Sequence, residues 1–145
     1  MSRIVQLNGT GKQRDLLVRS IVLALRELAS SREINTDTRN QAAYISLALK
    51  SINESIDPTV AAWEKRGYWL KADRFRMEWA WTGDLAQQLK DALLHDDWGR
   101  AAEVCAKVST KLESVTLPKS NRLGSPWVGA WEKFTGNSQK RDSRK

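Results

Sequence analysis

The chain has 145 residues, with 24 Lys and Arg against 17 Asp and Glu, for a formal charge of +7. One Cys and one His exclude an internal disulfide and any site built from two His, two Cys or a Cys–His zinc cluster. A chain of this length that is 41% apolar and 28% charged is expected to fold as one domain, and seven Trp is a heavy load for it.

The charge is uneven. Residues 118–145 hold seven bases and two acids, against 17 and 15 in residues 1–117, so the basic character belongs mostly to the C-terminal end. The N-terminus carries no apolar signal core. The apolar run Ser20 to Leu25 falls far short of the roughly 20 residues that span a bilayer. A soluble cytoplasmic protein with no membrane partner is the expectation.

Strand-like alternation is nearly absent, and only Arg3 to Leu7 suits a short extended arm. Asn8-Gly9-Thr10-Gly11-Lys12 resembles a phosphate loop. However, Gln6 stands where the first glycine belongs, and Gln13 replaces the Ser or Thr that would hold Mg²⁺. The segment reads as a flexible turn before the first helix. Leu17, Ile21, Ala24 and Leu28 then step by four, three and four, predicting a helix over 12–30. Ala42, Ile45, Leu49, Ile52 and Ile56 predict a second over 37–56, capped by Thr36 or Asp37.

Asp57-Pro58 combines a capping carboxylate with a proline suited to the first helical position, so a third helix is expected over 58–95, with Gly67 and Gly83 as points of kinking. Two apolar faces emerge along it. One holds Tyr68, Ala72, Phe75 and Trp79; the other holds Trp63, Leu70, Met77 and Trp81. A helix apolar on two sides is expected to be sandwiched as the spine of the molecule. Asp96 or Asp97 caps a fourth helix over 97–115, with Trp98, Ala101, Cys105, Val108, Leu112 and Val115 on its seam. Leu94 to Val108 resembles one helix–turn–helix unit of a tetratricopeptide repeat, but no repeat of the required period exists elsewhere.

The reading is therefore an all-α bundle of four main helices over residues 1–117, around a long third helix. An aromatic arm follows over 118–135, then a disordered basic tail over 136–145. In the arm, Ser125 is expected to cap a short helix with Pro126 at its first position. That would set Trp127, Trp131 and Phe134 at groove-anchor spacing, to dock on the bundle or on a partner.

No catalytic, cofactor or metal set is expected. Asp91 and His95 share a helical face, but a four-helix carboxylate site needs a Glu-x-x-His on each of two helices. Cys105 falls on a core position, as an inert buried thiol. Acids such as Glu78 have basic helical neighbours, here Arg74. The strongest functional candidate is Trp63 to Trp81, where Lys65, Arg66, Lys71, Arg74 and Arg76 interleave with aromatics. Trp69 lies off both apolar faces and is the ring expected to be exposed. The leading expectation is a non-enzymatic interaction module that binds a protein partner or self-associates through the spine and through Trp127, Trp131 and Phe134. The alternative is a binder of single-stranded nucleic acid that uses Lys65, Arg66, Trp69, Lys71, Arg74 and Arg76, assisted by the tail. A third reading is an enzyme with Glu64, Arg74 or Glu78 as acid–base groups.

Overall fold

A computed structural model describes the backbone of residues 3–143 and the side chains of residues 11–136. The fold is an all-α helical bundle of α1 (Arg3–Ser30), α2 (Thr36–Glu54), α3 (Ile56–Lys65), α4 (Trp69–Trp79), α5 (Trp81–Leu94), α6 (Trp98–Lys111) and α7 (Ala130–Ser143). The predicted apolar stripes are where the core lies. Ile21 and Ala24 of α1, Ile45, Leu49 and Ile52 of α2, Leu89 of α5, and Ala101, Val104 and Val108 of α6 form one buried cluster. Among the described residues no helix is long and apolar enough to cross a membrane.

The expected extended arm at Arg3 to Leu7 and the expected turn at Asn8 to Lys12 are both helical, within α1. The cap of α2 lies one residue before those predicted. Asn35 Oδ1 accepts from Thr38 N at 3.0 Å, and Thr38 Oγ1 accepts from Asn35 N at 2.7 Å. This reciprocal box satisfies an orphan donor at each end of the first turn, which neither Thr36 nor Asp37 does. Asp97 caps α6 as expected, accepting from Arg100 N at 3.0 Å. The seam of α6 continues past its end through Leu112.

The region read as one helix over 58–95 is divided into three. Helix α3 starts at Ile56 rather than Pro58, because the chain only bends at Ser55: Pro58 has no N–H to offer the Glu54 carbonyl, and Thr59 N bonds Ser55 O instead. At the other end, Tyr68 N bonds Trp63 O, Gly67 N bonds Glu64 O, and Gly67 adopts φ +80. That is a Schellman stop, whose left-handed residue suits glycine. The second break within the region falls at Ala80, where the Thr82 hydroxyl donates to Trp79 O at 2.7 Å and bends the chain. Helix α5 then runs straight through Gly83. A Cβ there would lie 2.7 Å from Asn53 Oδ1, so the glycine serves close approach to α2 rather than a kink.

The spine is α2, not the third region. It packs against α1, α5 and α7, and its buried residues lie on all sides, from Asn40 and Gln41 through Ala42, Ala43, Ser46 and Ala48. Small side chains let three neighbours approach, and Ser46 Oγ donates to Ala86 O of α5 at 3.0 Å. Helices α3 and α4 pair mainly with each other, around a separate small core of Ile56, Val60, Ala72 and Phe75. They form a hairpin joined to the bundle near Ser55 and Ala80.

The arm folds back on its own chain. Gly129 at φ +79 closes a turn over 126–129, so α7 begins at Ala130 rather than at Pro126. Trp127 is buried in the main core, and Trp131 stacks on Trp98 with ring centroids 6.4 Å apart. Asn40 Oδ1 of α2 accepts from Trp131 N at 2.8 Å, giving an orphan donor in the first turn of α7 a partner from another helix. The backbone is helical through Ser143, where composition led to an expectation of disorder from Gly136. Arg144 and Lys145, the last two bases of the predicted tail, lie outside the described residues.

Candidate functional site

All three rings of the predicted anchor set are part of the bundle's packing. Trp131 and Phe134 pack on the main core with centroids 5.8 Å apart, and Trp127 lies within that core. The aromatic anchors of the arm are therefore covered by their own chain.

The hairpin is different. Its inner face is closed by Ala72, Phe75 and Trp79, with Trp63 meeting Phe75 edge-on at 5.0 Å. Tyr68, the fourth residue assigned to that face, has left it for the tip and is 52% exposed. The second predicted face is not sandwiched: Leu70 and Met77 are 64% and 79% exposed among the described residues. Trp81, predicted to share the face with them, lies beyond the Ala80 bend and packs on the main core. Trp69 is 62% exposed, as its position off both faces implies. Burying a side chain of this size is worth about 1.5–3 kcal/mol, so a contiguous exposed set is a feature to be explained.

The charges around the tip sort into two groups. Arg76 is held within the hairpin, with Nη2 3.0 Å from Glu64 and Nη1 3.4 Å from Asp73. Among the described residues, Lys65, Arg66, Lys71 and Arg74 make no ion pair, and the expected Arg74–Glu78 pair does not form. Lys71 Nζ instead lies 4.7 Å from the centre of the Trp63 ring. A groove of about 730 Å³ on this flank is lined by Trp63, Tyr68, Trp69, Lys71, Arg74 and Glu78, among others. Of the predicted binding residues, it gathers Trp69, Lys71 and Arg74. Lys65 and Arg66 stand beside the tip, Arg76 is engaged elsewhere, and Trp127, Trp131 and Phe134 belong to the bundle.

One contributor was missed by sequence reasoning. Arg14 of α1 places its guanidinium 4.7 Å from the centre of Phe75 and 5.6 Å from Trp79. Its Nη1 is buried with no hydrogen-bond acceptor among the described residues, and the guanidinium faces the negative faces of the two rings. Arg14 thereby fastens the hairpin to the bundle. Its place among the polar residues of α1 carried no signal of this, since the rings lie some sixty positions away.

The other chemistry is subdued. His95 Nδ1 lies 2.7 Å from the main-chain oxygen of Asp91, while the Asp91 carboxylate accepts from Gln87 Nε2 at 3.0 Å. Burial pushes the Cys105 thiol up to about 12, so it is protonated at neutral pH. Of the proposed acid–base groups, Glu64 is paired with Arg76, and Arg74 and Glu78 line the hairpin groove. A smaller cavity of about 220 Å³ beneath the α1–α2 loop is mainly apolar, bounded by Leu28, Ile34, Trp98 and Cys105. Comparison of the chain with protein-family models, curated proteins and solved structures finds no match.

Proposed function

We propose that the protein is a non-enzymatic helical interaction module whose binding element is the α3–α4 hairpin. The observation that carries this reading is the exposed set Tyr68, Trp69, Leu70 and Met77, on a hairpin whose opposite face is packed. A bundle that buries six Trp at least in part while leaving one 62% exposed has a use for that ring outside its own core. The arm is not part of this binding element, since its anchors are engaged within the chain.

The test is site-specific photo-crosslinking in the cells of origin, with a diazirine amino acid at position 69. The comparison position is 128, where Val128 is 75% exposed on the opposite end of the sequence. Adducts at 69 and none at 128 are expected. No adduct at 69, or equal yield at both positions, overturns the proposal.

A further inference from the structure

The hairpin groove names a class of partner, an inference that rests on the hairpin being the binding element. Its volume of about 730 Å³ lies within the range of ligand sites, about 300–1,000 Å³. It sets rings beside cations: Trp63, Tyr68 and Trp69 with Lys71 and Arg74. A single strand presents the matching pair of features, flat bases with open π faces and a phosphate at every step. Arg76 draws Glu64 and Asp73 to itself, which leaves the neighbouring cations to act on an outside anion. Lys65 and Arg66 extend that positive charge around the tip. Glu78 sits at one end of the groove, so the tip is the favourable entrance for a polyanion.

Other occupants fit less of this. A duplex hides its base faces by stacking and cannot use the rings. A membrane surface would meet the convex tip but leave the concave flank empty. We propose that the hairpin binds single-stranded nucleic acid, with bases stacked on Tyr68 and Trp69 and phosphates at Lys71 and Arg74, supported by Lys65 and Arg66.

The experiment is fluorescence anisotropy of the full chain with fluorescein-labelled oligothymidylate and oligouridylate. With three or four phosphates engaged, affinity should fall by about 20- to 50-fold when salt rises fourfold. W69A should weaken binding about tenfold, through the loss of one stacked base. K71E/R74E should weaken it by at least that much. All three side chains are exposed, so melting temperatures should stay near wild type, and W69A keeps the test decisive if the double variant does not fold. A K140E/R141E/R144E variant separates the site from the basic C-terminal end and should stay within about twofold of wild type.

The inference is overturned by absence of binding at low salt, by equal competition from a duplex, or by binding that the C-terminal variant abolishes and K71E/R74E retains. A Trp fluorescence shift with phosphatidylserine vesicles but not with oligonucleotides also overturns it. If oligonucleotides fail while position 69 still yields protein adducts, the hairpin remains the binding element and only this inference falls.

Discussion

Cys105 lies between Ala101 and Val108 on the buried side of α6, where burial pushes its thiol up from 9.0 to about 12. A folded pKa above the unfolded one means that ionisation favours the unfolded chain. The stability contributed by keeping this thiol neutral is therefore complete below pH 9 and is lost as pH rises from 9 towards 12. The expected slope is at most about 1.4 kcal/mol per pH unit. Urea unfolding of wild type and C105A across pH 7–11 isolates it, because every other group titrates alike in both; a stability difference that does not change with pH would refute the assignment. At this scale much was legible. The core place of Cys105 and the exposure of Trp69 both follow from counting residues around a helix. The pairing of Arg76 with Glu64 does not, since those residues lie on two helices that meet only after the chain turns at Gly67.

Helices were readable as stripes, and their ends less so. Asn35, Thr36 and Asp37 all have capping side chains, and what selects Asn35 is Thr38 three residues on, which completes the reciprocal bond. N35A should cost about 1 kcal/mol by urea unfolding, with N35S or N35D recovering most of it; an unchanged midpoint would assign the cap elsewhere. The stop after α3 also had a local signature, two bases followed by glycine. Apolar periodicity continues across that break and obscured it, because Trp63 and Phe75 face the same small core from opposite arms of the hairpin. The break at Ala80 left no comparable mark. It depends on the Thr82 hydroxyl choosing the Trp79 carbonyl.

Across the whole molecule, the hairpin is held to the bundle by the two chain bends, by Trp79, which packs on the main core and stacks on Trp81, and by the Arg14 guanidinium on Phe75 and Trp79. A cation over aromatic faces is worth about 0.5–2 kcal/mol. R14A should therefore speed amide exchange in α3 and α4 by about tenfold, leaving α2 and α5 unchanged. Uniform acceleration, or none, would show that Arg14 is not the fastener. A hairpin held in this way can present its tip while the bundle stays rigid.

The central place of α2 had a signal in the uncharged run from Asn40 to Leu49. Only a helix surrounded by others can dispense with charge for that long. The sequence by itself determined the helical class, the stripes that become the core and the ring that stays outside it, because each follows from the 3.6-residue period along one segment. Only the tertiary structure decided that the third region divides, that α2 is central and that the arm folds onto its own bundle. Those outcomes depend on contacts between residues far apart in the chain, such as Asn40 with Trp131 and Arg14 with Phe75, which no local pattern encodes.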